Sequence, residues 1–84
     1  MIFTINFAVE GMPRRDGSLS PEGPAAVMRA LAKDGISGAR FDYRCEIFNI
    51  ELDPQVASWS DVRRAVRRAG EREGRVLLAV VMSP

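Results

Sequence analysis

The sequence contains no histidine, a single cysteine and no hydrophobic run long enough to cross a membrane. Histidine is the commonest general base and the commonest metal ligand, so two ordinary routes to catalysis and metal binding are missing. One cysteine cannot form an internal disulfide, which fits a reducing cytoplasm. The opening stretch from Met1 to Val9 has no basic leader and too little apolar length for a signal peptide. We therefore expect a cytoplasmic protein with no membrane anchor.

The charges of the chain are nearly balanced. There are 12 basic and 11 acidic residues, for a net charge of +1. This balance gives no bulk attraction to a phosphate backbone, so nucleic acid is not favoured as a partner. Hydrophobic residues make up 46% of the 84 residues, which is ordinary for a small globular protein. We expect one domain that spans residues 1–84.

Periodicity and turn signals predict six elements along the chain. The clearest is the second helix, because Ser58 followed by Asp61 forms a variant of the capping box. In the first strand, alternation places Phe3 and Phe7 on one face and Thr4 on the other. The predicted elements are a strand over Met1–Val9, a loop over Glu10–Ser20, a helix at about Pro24–Asp34, two strands within Ala39–Leu52, a helix from Ser58 to about Gly70, and a strand over Val76–Met82.

The order of these elements, β-α-β-β-α-β, predicts an α+β fold. Two helices on one face of a four-stranded antiparallel sheet is the arrangement that this order implies. It corresponds to the ferredoxin-like sandwich with strand order 4-1-3-2. Because this fold carries many unrelated functions, it does not by itself indicate an activity.

The stretch from Asp53 to Gly70 carries a spaced set of residues: Asp53-Pro54, Ser58, Val62, Ala65-Val66 and Ala69-Gly70. It resembles the second half of a heavy-metal-associated domain, the fold of copper chaperones. The earlier segment Val9-Glu10-Gly11-Met12 resembles that family's entry to its metal loop. The family carries a Cys-x-x-Cys pair in that loop, where two thiolates chelate a soft cation. The corresponding positions here are about Arg14 and Gly17, so the pair is lacking and we expect no bound metal.

The first helix and its exit read Gly23-Pro24-Ala25-Ala26, Ala30-Leu31-Ala32 and Gly35-Ile36. They resemble those of ACT domains, which commonly bind amino acids and regulate enzymes, and Cys45-Glu46-Ile47 is similar to the start of that family's third strand. The resemblance implies a ligand site in the loop from Gly11 to Pro24. Arg14 and Arg15 would hold an anionic group there, near the start of the first helix, where backbone N–H groups favour negative charge.

Residues able to carry chemistry are few. Cys45 is the one candidate nucleophile, and without histidine it lacks the usual activating base, so a structural cysteine near a turn is the better interpretation. Four methionines could form a thioether site for copper(I), but scattered methionines more often fill cores. Acidic residues on the middle strands are more simply solvated partners for nearby arginines. We therefore predict no enzyme activity, no cofactor and no metal. The residues concerned are Met1, Met12, Met28, Met82, Asp42, Glu46 and Glu51.

One face of the second helix carries four arginines: Arg63, Arg64, Arg67 and Arg68. The simple interpretation is a solvated helix surface. The alternative is a docking stripe for an acidic protein or a phosphate group.

The last strand is apolar on both sides. We assign Val76, Leu78, Val80 and Met82 to the helix side, which leaves Leu77, Ala79 and Val81 on the open side of the sheet. A sheet covered on one face should alternate apolar with polar residues, so this excess indicates that something covers the open side. The predicted protein interface consists of Ala8, Ile47, Leu77, Ala79 and Val81.

These observations favour a non-catalytic interaction or accessory module. It would act as a homodimer or as a small subunit docked on a larger protein. An ACT-like regulatory domain that binds a small molecule such as an amino acid is the first alternative, and a degenerate heavy-metal-associated domain is the second.

Overall fold

The computed structural model describes residues 1–82. Ser83 and Pro84, the last two residues of the predicted domain, lie outside the described residues. The elements are β1 (Phe3–Glu10), β2 (Arg14–Arg15), β3 (Ser18–Leu19), α1 (Glu22–Lys33), β4 (Ala39–Asp42), β5 (Ile47–Leu52), α2 (Trp59–Glu71) and β6 (Leu78–Val81).

A four-stranded antiparallel sheet carries the fold, in the order β4-β5-β1-β6. The labels differ from the predicted 4-1-3-2 because a hairpin adds two short strands to the count. Numbered among themselves, the four strands of the large sheet read 2-3-1-4 from one edge and 4-1-3-2 from the other. The two predicted helices and the α+β class are confirmed.

The hairpin of β2 and β3 occupies the segment predicted as a plain loop. Asp16 and Gly17 form its two-residue turn, with φ of 54° and 79°. Two successive residues with positive φ give the type I′ turn, whose twist matches that of paired strands. The chain after β1 therefore makes a small second sheet before α1 begins.

Helix α2 begins as the sequence predicts. The Ser58 side chain accepts from the backbone N–H of Asp61, and the Asp61 carboxylate accepts from the backbone N–H of Ser58 at 2.8 Å. The helix runs through Gly70 to Glu71 and does not stop at the glycine. A Cβ on Gly70 would lie 2.7 Å from the Arg75 carbonyl oxygen and 2.8 Å from Leu77 Cγ. The glycine is therefore required because the chain leading into β6 crosses the helix there.

The core lies between the sheet and the two helices. Phe7 stacks on Phe48 with ring centroids 5.1 Å apart, and Trp59 meets Phe7 edge-on at 5.3 Å. Phe3, predicted on the same face as Phe7, is 49% exposed; it lies at the end of β1 that β6 does not reach. The other fully buried large side chains are Leu31, Ile50, Val27, Val62, Val66 and Pro24.

The predicted phase of the last strand is wrong by one residue. Leu77 is 3% exposed and belongs to the core, and Ala79 pairs with Val9 on the same side of the sheet. Leu78 and Val80 lie on the open side instead. Two causes act together. A strand that is apolar on both sides shows no contrast from which to read its phase, and the room at Gly70 admits Leu77 to the core.

Candidate contact surface

The outer part of β6 exposes a continuous run of apolar side chains. Leu78, Val80 and Met82 alternate onto the open side of the sheet and are 46%, 40% and 41% exposed. Val81 points toward the helix side but is 51% exposed because β6 is the last strand of the sheet. We call Val76, Leu78, Val80, Val81 and Met82 the β6 patch; Val76 is exposed just before the strand begins.

The remaining residues of the predicted interface divide between the two sides of the sheet. Ala8 pairs directly with Val80, and Ile47 lies beside Ala8 on the open side, so these two residues border the β6 patch. Both are partly buried. Leu77 and Ala79 face the core. The apolar surface predicted from the sequence is therefore present on this strand, but Leu78 and Val80 form it in place of Leu77 and Ala79.

An open pocket of about 440 Å³ lies at the end of the sheet, between the hairpin and the turn that joins β4 to β5. Arg14 reaches across this pocket to form an ion pair with Glu46, and its Nη1 donates to the Gly17 carbonyl at 3.2 Å. Glu46 has φ of 57°, which the short turn imposes. The pair links the hairpin to the β4–β5 turn, and no sequence signal indicates a contact between residues 32 positions apart.

The two arginines predicted to hold an anion point to different places. Arg14 is paired with Glu46, while Arg15 lines a separate shallow pocket with Asp16 and Glu22 near the start of α1. Neighbouring residues of a strand face opposite sides, which accounts for the separation. Arg14 is therefore neutralised by Glu46, whereas Arg15 makes no ion pair within residues 1–82.

Three sulfur-containing residues line the same 440 Å³ pocket: Met12, Cys45 and Met82. Met12 is buried, whereas Cys45 is an exposed free thiol and Met82 is partly exposed. Over residues 1–82, the acidic and cysteine side chains form no group of three that could hold a metal ion.

The arginine stripe of α2 is exposed, as the sequence predicts, and two of its members form ion pairs. Arg64 Nη1 lies 3.2 Å from the Asp61 carboxylate, and Arg68 pairs with Asp34 at the end of α1. Within the part of the chain that the structure describes, Arg63 and Arg67 make no ion pair. The stripe is thus half neutralised by its own surroundings.

Asp61 is the one group in the described part of the chain with a clearly altered pKa. The backbone N–H of Ser58 donates to its carboxylate and lowers the pKa below the ordinary value of 3.8. The Ser58 hydroxyl and Arg64 act in the same direction. This effect belongs to the start of α2 and lies outside the β6 patch.

No protein-family model matches the chain, and no curated protein matches it in sequence. Solved structures that share its fold include the following two. A copper binding domain from HMA7, a P-type ATPase, superposes with a TM-score of 0.67 at 18% identity, covering 95% of this chain and 93% of that one. Oxidized MerP from Ralstonia metallidurans CH34 superposes with a TM-score of 0.58 at 16% identity, covering 99% of this chain and 100% of that one.

The chain therefore has the ferredoxin-like fold, which it shares with these two structures. At sequence identities this low, the structural similarity establishes the fold, and function has to be inferred from the residues of this chain. No helix in residues 1–82 is long and apolar enough to cross a membrane.

Proposed function

We propose that this chain is a non-catalytic association module, which acts as a homodimer or as a small subunit docked on a larger protein. The observation that carries the proposal is the β6 patch, a continuous set of exposed apolar side chains without a charge among them. Apolar patches of this kind on soluble proteins commonly mark contact sites.

The energetic argument concerns the side chains that point outward. Full burial of a Leu, Val or Met side chain is worth roughly 1.5–3 kcal/mol. Leu78, Val80 and Met82 keep close to half of their surface in water, so covering them would recover on the order of 1 kcal/mol each. Isolated exposed aliphatics are normal, but these three lie side by side along one strand.

The two alternatives have less support. An ACT-like site would require free cationic groups at the hairpin, and Glu46 already pairs with Arg14. A degenerate heavy-metal-associated function is supported by the shared fold and by the pocket that Met12, Cys45 and Met82 line. Burial of Met12 leaves Cys45 and Met82 as the accessible soft donors of that pocket.

The test replaces two outward residues of the patch, as Leu78→Lys/Val80→Lys. We expect the variant to stay folded, with an unchanged circular dichroism spectrum, and to lose its dimer or partner. Light scattering on the purified chain would show the mass falling to the 9.3 kDa of the monomer, or a pull-down from the native source would lose a partner that the wild type retains.

Ala32→Lys/Gln55→Lys is the matched control, because it adds the same two charges at exposed positions away from β6. It should leave every association unchanged. The proposal is wrong if the β6 variant keeps the dimer or partner of the wild type, or if the wild type has neither.

A further inference from the structure

The free edge of β6 exposes backbone groups in a definite pattern. The Met82 N–H donates to the Asn6 carbonyl at 2.8 Å, which makes Met82 and Asn6 a hydrogen-bonded pair. In an antiparallel ladder such pairs alternate with non-hydrogen-bonded ones. The backbone groups of Leu78 and Val80 therefore also point to β1. Those of Ala79 and Val81 point away from the sheet, where the described part of the chain places no strand.

Although β6 is short, its edge lacks three features that commonly prevent strands from pairing. Proteins protect free edges with charged residues, proline or bulges. The segment from Leu78 to Met82 has no charge and no proline, and its register with β1 is uninterrupted. The other free edge, β4, carries Arg40 and Asp42 on its outer side.

We infer that the partner of β6 is a second copy of this chain, paired edge to edge across a two-fold axis at Val80. This inference rests on the proposed function and names its partner. In that register Ala79 faces Val81 of the partner subunit, and the reverse holds on the other side of the axis. The two outward N–H groups and two outward carbonyls of each strand then form four hydrogen bonds, and the two sheets become one sheet of eight strands.

The side chains of the patch are complementary to themselves in this register. Val80 meets Val80 of the partner subunit, and Leu78 meets Met82 of the partner subunit, all on the open side. On that side Glu10 pairs with Leu78 on β1. Arg14 and Glu46, which line the pocket beside Met82, form an ion pair with each other. Three strand spacings separate the two β1 strands, about 14 Å. That exceeds the screening length of about 8 Å at physiological ionic strength, so like charges do not oppose the pairing.

Ala79→Pro tests the backbone pairing. Proline removes the outward N–H of Ala79, which has no partner in a single copy, so the monomer should keep its fold. Sedimentation velocity should then show the mass falling from twice 9.3 kDa to 9.3 kDa.

Ala39→Pro is the control on the opposite edge. Glu51 N–H donates to the Gly38 carbonyl, so by the same alternation the Ala39 N–H also points outward. This variant should remain a dimer.

A cross-link tests the register and does not depend on how well a proline variant folds. In Cys45→Ser/Val80→Cys, the two new thiols lie in a non-hydrogen-bonded pair with Cα atoms about 4.5 Å apart, within the range that a disulfide spans. Mild oxidation should convert most of the chain to a covalent dimer. Cys45→Ser/Arg40→Cys, with its thiol on the other edge, should form no covalent dimer under the same conditions.

The outcomes separate this inference from the function on which it rests. If Leu78→Lys/Val80→Lys abolishes the dimer while Ala79→Pro keeps it and the Val80→Cys thiols fail to cross-link, edge pairing is wrong and the association function stands. If the wild type is monomeric at all concentrations but captures a different protein through the β6 patch, the inference that the partner is a second copy is wrong and the association function stands. If neither dimer nor partner exists, both proposals fail.

Discussion

The two edge strands of the sheet occupy equivalent places in the fold and differ in composition. On β4, Arg40 and Asp42 face outward, and Phe41 packs between Phe48 and Tyr43 with ring centroids 4.5 and 4.8 Å away. On β6, all four residues are apolar. The difference shows that the fold itself does not require an apolar edge, because β4 closes the same sheet with charges. An apolar edge without charge is a template on which another strand can pair.

The largest expected effect distinguishes the two sides of the last strand. Leu77→Lys places a charge in the core and should destabilise the fold by at least about 3 kcal/mol, enough to unfold much of a small domain. Leu78→Lys, one residue on, should change the stability of the monomer by no more than about 0.5 kcal/mol. Urea unfolding followed by Trp59 fluorescence measures both. Equal losses in the two variants would contradict the phase of β6 described above.

Two glycines approach the backbone of another segment closely: Gly70 beside the segment that leads into β6, and Gly38 just before β4. Substituting each with alanine compares the packing near the two edges of the sheet. At Gly70 a Cβ would lie 2.7 Å from the Arg75 carbonyl oxygen, whereas at Gly38 it would lie 3.1 Å from that of Glu51. Overpacking costs about 1–3 kcal/mol, which at Gly70 exceeds or offsets the gain of about 1 kcal/mol from helix propensity.

We therefore expect Gly70→Ala to lower the free energy of unfolding by up to about 2 kcal/mol, and Gly38→Ala to have the smaller effect. Thermal or urea denaturation of the two variants beside wild type decides the order. A stabilised Gly70→Ala variant would mean that the segment from Arg75 to Leu77 shifts at little cost, so that its close contact with Gly70 does not fix the position of β6.

The smallest expected effect is a dependence of stability on pH that arises at the start of α2. The β6 patch contributes nothing to it, because the patch contains no titratable side chain. Asp61 has a lowered pKa in the folded protein, so its contribution to stability is present above the unfolded value near 3.8 and is lost as pH falls through the folded pKa. Wild type should exceed Asp61→Asn in urea midpoint at pH 6, and the gap should close below pH 3.8. A gap that stays constant with pH would contradict the role given to the carboxylate.

Local signals in the sequence were sufficient for most of the fold. Alternation in β1 and the Ser58–Asp61 capping box each depend on residues a few positions apart, and the structure confirms both. The Asp16-Gly17 turn pair was visible too, but strands of two residues are too short to show a period.

The candidate surface was harder to predict because it depends on phase. In β6 every residue is apolar, so the sequence shows that one side must be exposed and does not show which. The side that is buried is set by Gly70, which has no side chain and so leaves space for Leu77 to pack into the core. The Arg14–Glu46 pair likewise arises only when the fold brings the hairpin against the β4–β5 turn.

The hairpin between β1 and α1 has a consequence for engineering. Its ends are held together, because the Ser20 N–H donates to the Pro13 carbonyl at 3.0 Å and Arg14 anchors one strand to Glu46. Its tip is open, with nothing within 4 Å of where a Cβ on Gly17 would lie. Doubling the length of a closed loop costs only about 0.6 kcal/mol. A foreign peptide grafted between Asp16 and Gly17 would therefore be displayed in solvent while the large sheet keeps its register.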